Sequence, residues 1–166
     1  LEQARARRNG RAIPKLAAMG PPPYAGDWQR KTITQRGYLA RFGGEFHGNP
    51  LGALPLVLSG LIFSPEYTGR DRVNVLRGIS DSMRVLWPQL MAIDLFEMVP
   101  ELKVPVVLVE GRHDHEVPSS LSARWFDALA APSKELVWFE HSAHMPNFEE
   151  KDLFDELIIQ RVRPLT

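Results

Sequence analysis

The chain has 166 residues, the length of one domain or part of one, and 20 Lys+Arg balance 20 Asp+Glu. This balance gives no electrostatic basis for nucleic acid or an acidic membrane surface as a partner. The absence of cysteine excludes disulfides, thiolate nucleophiles and Cys metal sites.

Lack of cysteine is also compatible with a reducing cytoplasm, which is the expected location. No apolar run approaches the roughly 20 residues of a membrane-spanning helix. The longest, Leu51 to Phe63, is interrupted by Gly52, Pro55 and Gly60. The chain starts at Leu1, inside a helical pattern and without a signal-like segment, and this start is read as the product of a cut.

Residues 1 to 98 carry helical patterns punctuated by Gly and Pro. Leu1 to Met19 predicts a helix ending at Gly20 and kinked or broken at Pro14. Its cluster Arg5, Arg7, Arg8 and Arg11 reads as a solvated face. Pro21-Pro22-Pro23-Tyr24 is a stiff extended turn that stops the helix. Asp27 caps a helix running to about Arg41, which Gly43-Gly44 ends. Leu51 to Phe63 reads as a short apolar helix, and Ser64-Pro65-Glu66 as a cap with Pro in the first helical turn. Arg70 to Met91 is a longer amphipathic helix, with Val73, Leu76, Ile79, Met83, Leu86 and Leu90 at helical spacing.

From residue 99 the pattern changes. Val104 to Val109 is a Val-rich run of strand length, as expected for a strand covered on both faces. Ser119-Ser120 caps a helix over Leu121 to Ala130, Pro132-Ser133 turns, and Glu135 to Glu140 is a second strand. Glu149 to Val162 closes the chain as a helix with Leu153, Phe154, Leu157 and Ile158 on one face. Strand, helix, strand, helix with short connections is the unit of a parallel α/β sheet. Two strands are too few to be covered on both faces by these helices, so the sheet needs partner strands that these residues do not supply.

Two loops carry chemistry. In open α/β sheets, reactive groups gather at the carboxyl ends of the strands. Asp114 follows the first strand after Gly111, and His144 follows the second in Ser142-Ala143-His144-Met145-Pro146. An Asp accepting from one imidazole nitrogen fixes the tautomer, and the other nitrogen is then free to take a proton from a nucleophile. Asp114 alone would read as a turn carboxylate and His144 alone as a loop histidine. Together, at successive strand ends, they read as the acid and base of a triad.

Alternatives lie close by. His113, His115, His141 and His144 near Asp114 suggest a metal site, although consecutive side chains in an extended segment diverge. His141 is a second candidate for the base, whereas Glu140, Glu149 and Glu150 read as surface or supporting groups. No nucleophile elbow of the form G-x-S-x-G is present. Ser80 and Ser82, in Gly78-Ile79-Ser80-Asp81-Ser82, lack the second Gly and a preceding strand, and Ser59 has the same defect.

These motifs resemble the C-terminal end of an α/β-hydrolase. The resemblance rests on the strand into Gly111-Arg112-His113-Asp114 with Val117-Pro118, and on the His144 loop. In that loop Ala143 stands where much of the family has Gly. Met19 to Tyr24 and Arg84 to Leu90 resemble the helical cap of the proline-iminopeptidase-like branch.

The resemblance implies an incomplete α/β-hydrolase fold, with a helical cap over residues 1–98 and the last strand-helix-strand-helix of the core over 99–166. It implies a partner, a complementary N-terminal chain carrying the first strands, the oxyanion donors and a nucleophilic Ser, or an Asp as in epoxide hydrolases and dehalogenases. Asp114 would orient and His144 act as base then acid on an ester or amide of a small-molecule or peptide substrate, with no cofactor or metal. Cap acids hold the substrate amine in the aminopeptidase-like branch. Glu45 and Glu66 are candidates for that role, although both also read as plain exposed carboxylates. Trp87, with Phe42, Phe46 and Phe63, could shape an apolar pocket or simply form core. The same fold also serves acyltransferases, lyases and epoxide-opening enzymes. A non-catalytic interaction subunit with an idle acid and base is the reading from another class.

Overall fold

A computed structural model describes residues 1–22, 24 and 26–165. Pro23, in the proline run read as a stiff turn, lies outside the described residues. The chain opens with α1 (Glu2–Ala6) and α2 (Ala12–Met19). The break between them falls before Pro14, which sits in the first turn of α2. Helical N–H groups have no intrahelical acceptor there, so Pro is tolerated. The break itself is made by Asn9, whose Oδ1 accepts from the Ala12 and Arg11 N–H groups at 2.9 and 3.2 Å.

Asp27 caps α3 (Trp28–Arg41) through the Arg30 N–H, as its short acceptor side chain permits. After α3 the chain turns at Gly43, whose φ of 72° favours a residue without Cβ. The apolar helix α4 (Leu54–Phe63) begins three residues later than the run suggested, with Pro55 in its first turn. Ser64 does not cap the next helix. Its Oγ accepts from the Glu66 N–H at 3.3 Å in a local turn. The helix α5 (Gly69–Leu90) starts instead at a reciprocal capping box, in which Thr68 Oγ1 accepts from the Asp71 N–H and Asp71 Oδ2 accepts from the Thr68 N–H.

After the short α6 (Leu95–Met98), β1 (Val106–Gly111) and β2 (Lys134–Phe139) pair in parallel, from Val106 opposite Lys134 to Gly111 opposite Phe139. The crossover contains α7 (Ser119–Ala128). Ser119 is its first residue rather than a side-chain cap. Its far end is closed by Lys134, whose Nζ donates to the Phe126, Asp127 and Leu129 carbonyls at 2.6, 2.9 and 2.9 Å. A cation there meets the negative end of the helix dipole.

The chain closes with α8 (Pro146–Glu149) and α9 (Lys151–Leu157), then a π turn over Ile158–Val162 and a 3₁₀ turn over Arg163–Leu165. The closing helix expected over Glu149 to Val162 is therefore shorter and begins after a break at Glu150.

Ala4, Ala12 and Phe42 pack with Ile13, Leu16 and Tyr38 among α1 to α3. Phe126, Leu129, Phe139 and Leu157 are buried around the two strands. Much apolar surface remains open on α4 and α5, including Val57, Ile62, Leu76 and Ile79. Among the described residues, no helix is long and apolar enough to cross a membrane.

Candidate active site

The two strands end side by side, and their loops are tied together through the backbone. The Arg112 N–H donates to the Phe139 carbonyl at 2.9 Å and the His113 N–H to the Ser142 carbonyl at 3.0 Å. This contact requires Gly111. A Cβ there would overlap the Ala143 carbonyl and lie 2.7 Å from the Ser142 carbonyl oxygen.

On this platform Asp114 is buried, 7% exposed. Its Oδ1 accepts from the Glu116 and Val117 N–H groups at 2.7 and 3.0 Å, which fixes the carboxylate. Its Oδ2 meets His144 Nδ1 at 2.9 Å. The acid and base read from sequence are thus brought together, and His144 rather than the exposed His141 holds the position.

The loop carrying His144 is held by two carboxylates from α8 and the residue after it. Glu149 Oε2 accepts from the N–H groups on either side of the histidine, Ala143 at 2.8 Å and Met145 at 3.3 Å. Glu149 Oε1 accepts from the His47 N–H. Glu150 Oε2 accepts from the His141 N–H at 3.1 Å and from the Ser142 hydroxyl at 2.6 Å. The helical region reaches the same place through its backbone, since the His144 N–H donates to the Glu45 carbonyl at 3.1 Å and the His115 N–H to the Gly44 carbonyl at 3.2 Å.

The free imidazole nitrogen, Nε2, lies 3.9 Å from Glu116 Oε1, and Glu116 is itself ion-paired with Arg36 of α3. The hydrogen bond to Asp114 raises the His144 pKa above its ordinary value. Burial opposes this, the Glu116 and Asp114 charges reinforce it, and Arg36 reduces it. Behind the pair, Glu110 on β1 is also buried. Burial raises its pKa, a hydrogen bond with Ser122 lowers it, the Asp114 charge raises it, and His144 lowers it. In a dry setting the charged form of a carboxylate is disfavoured in this way.

The other expected site residues are scattered. Glu45 contributes its carbonyl, while its carboxylate packs against Gly52. Glu66 is exposed in the turn before α5. Trp87 stacks on Trp28, with ring centroids 5.7 Å apart and planes 3° from parallel, and lines a cleft that also contains Glu116 and Arg36. Phe42 is core, stacked with Tyr38, and Phe63 is 79% exposed. His113 stacks on His47, with ring centroids 3.8 Å apart, and His115 Nε2 lies 3.1 Å from Gln3 Nε2. Among the described residues no group of three or more His, Cys, Asp or Glu is placed to hold a metal ion. Ser80 and Ser82 lie exposed within α5.

Sequence reasoning missed Glu116, Glu110 and Arg36. Glu116 stands two residues after Asp114, on the turn that the Asp114 carboxylate organises, and that proximity was the available signal.

The chain is similar to the protein named "Probable aminopeptidase YbaC" of Bacillus subtilis (strain 168), with 32% identity over 151 residues that cover 87% of this chain and 45% of that protein. The chain thus spans just under half the length of the curated relative it matches. The relative is of peptidase type, which supports a hydrolase-like relationship. No family model matches, and no solved structure matches.

Proposed function

We propose that these residues are the C-terminal part of a serine α/β-hydrolase that cleaves an ester or amide bond, in a peptidase-like role. The observation that carries this reading is the 2.9 Å contact between His144 Nδ1 and Asp114 Oδ2 at the ends of adjacent parallel strands. Asp114 holds the imidazole with Nδ1 protonated, leaving Nε2 as the base. A serine on a complementary segment attacks the carbonyl carbon and passes its proton to Nε2. The imidazolium, stabilised by Asp114, then returns that proton to the leaving amine or alcohol. Water, activated in the same way, releases the acyl group.

The complementary segment supplies this serine and the missing sheet partners. Two arguments support it. A two-stranded parallel sheet leaves both edges unpaired, which proteins avoid. The matched relative is also more than twice as long as the region it shares with this chain. In this reading residues 1–98 form the cap and 99–166 the end of the core.

The test is treatment of the intact protein with a fluorophosphonate, followed by peptide mapping. A phosphonylated serine outside residues 1–166 is expected. The absence of a serine adduct in protein that turns over an ester would overturn the serine mechanism and favour a carboxylate nucleophile on the same scaffold.

A further inference from the structure

An open pocket of about 450 Å³ lies between α1, the end of α3 with the loop after it, and the acid loop. Gln3, Arg7, Arg41, His47, His113 and His115 form its polar wall. Among the described residues, no Asp or Glu lines it. The reaction proposed for Asp114 and His144 uses none of these side chains.

The carboxylates nearest this wall are engaged elsewhere. Glu149 accepts from the Ala143, Met145 and His47 N–H groups, and Glu140 holds Arg112 through two bonds at 3.0 and 2.6 Å. The Glu45 carboxylate packs against Gly52, and Glu2 lines the neighbouring cleft. Arg7 has a structural reason for its place. Its Nη2 donates to the Phe42 carbonyl at 2.8 Å and its guanidinium lies over the Phe42 ring. Arg41 has none: among the described residues its side chain makes no hydrogen bond or ion pair. Two guanidiniums on one pocket repel, and a cleft lined by one sign of charge concentrates its field on an incoming counter-ion.

We propose that this pocket binds the phosphate group of a small molecule, with Arg7 and Arg41 supplying the charge and the imidazoles supplying further donors. Guanidinium forks match phosphate oxygens, and an imidazole keeps at least one N–H in either charge state. The donors come from three separate chain segments around one space, which suits a tetrahedral group with several acceptor oxygens better than a planar carboxylate. The wall is preformed, because the His47 and His113 rings stack at 3.8 Å with planes 18° apart. The carbonyls at this end of α3 do not oppose an anion, since each has a donor. Leu39 and Ala40 accept from the Gly44 and Gly43 N–H groups at 2.9 Å, and Phe42 accepts from Arg7. The volume of about 450 Å³ is well above the about 150 Å³ that takes a benzene-sized molecule, so there is room for the body that carries the phosphate. The proposal stands apart from the hydrolase reading and requires neither a serine nor turnover.

The test is binding of inorganic phosphate to the intact protein at neutral pH, with ionic strength held constant by sodium chloride. The His47 and His113 ring C–H signals are followed by NMR and assigned with His47→Gln and His113→Gln. Saturable binding is expected, at least about tenfold tighter than that of acetate titrated in the same way. Arg41→Gln should weaken phosphate binding about tenfold, the loss of one charge-assisted contact. Its side chain is exposed and unpaired among the described residues, so the fold should be unaffected. Arg11→Gln removes the same charge from α2 outside the pocket and should leave binding unchanged. Shifts that do not saturate, acetate binding as tightly as phosphate, or unchanged binding in Arg41→Gln would each overturn the proposal. An Arg11→Gln loss equal to that of Arg41→Gln would also overturn it, because diffuse surface charge would then account for the effect.

Discussion

Gly111 and Ala143 pack backbone against side-chain position. The Ala143 carbonyl occupies the space a Cβ on Gly111 would need, and this contact brings the Asp114 and His144 loops together. Gly111→Ala must push the two strand ends apart. Overpacking of this kind costs about 1–3 kcal/mol. The expected result is a lower denaturation midpoint together with a loss of hydrolysis larger than the loss of folded protein. Circular dichroism melts and kcat measured on the same preparation check it.

Asp114→Asn tests the electronic link. The hydrogen bond to Asp114 is the largest contribution raising the His144 pKa, so the variant should titrate at lower pH. If His144 is the base, kcat/KM rises as it deprotonates, and the acid limb of the profile in the parent lies above the ordinary imidazole value of about 6.5. In Asp114→Asn that limb moves down, and kcat falls on the order of 10⁴-fold through the wrong tautomer. The stability consequence has a fixed sign. A folded pKa above the unfolded one gives stability that is full below about pH 6.5 and is lost as pH rises through the folded pKa. The variant should lack this component, as urea titrations at pH 5 and pH 8 would reveal.

Glu149 accepts from the N–H groups flanking His144 and from His47. Glu149→Ala removes a charged acceptor and leaves these donors without their partner, a loss of about 2 kcal/mol. It should lower kcat with KM little changed, because the base loop is displaced while the cleft remains. Glu149→Gln keeps one acceptor oxygen and should recover part of the rate. Steady-state kinetics of both variants separate this from a global loss of folding.

Lys134 closes the C-terminal end of α7 by donating to three carbonyls. Lys134→Met keeps the apolar stem and removes the donors. A loss of about 1 kcal/mol is expected, visible as a lower thermal midpoint with the His144 pKa unchanged.

The strands, the crossover helix and the meeting of Asp114 with His144 were legible because each follows from local pattern: a Val-rich run, a Gly turn and an acid or base just beyond it. Helix starts were less legible where two signals competed. Ser64-Pro65 offered one cap, but Thr68 and Asp71 satisfy each other's N–H groups and so set the start of α5. Pro14 drew attention as a breaker, although at the first turn of a helix it breaks nothing, and Asn9 makes the break. The pairing of Glu116 with Arg36 was not legible because it depends on how α3 packs against the acid loop, which no local spacing encodes. Glu45 reads in the sequence as a cap carboxylate, yet its contact with His144 is through the carbonyl, which every residue carries.

The account turns on His144 as the base. The most direct measurement is ester or amide hydrolysis by the intact protein and its His144→Gln variant, with folding of both verified. A drop in kcat on the order of 10³-fold or more with the fold intact is the predicted result. A folded His144→Gln protein that retains the parent rate would contradict it.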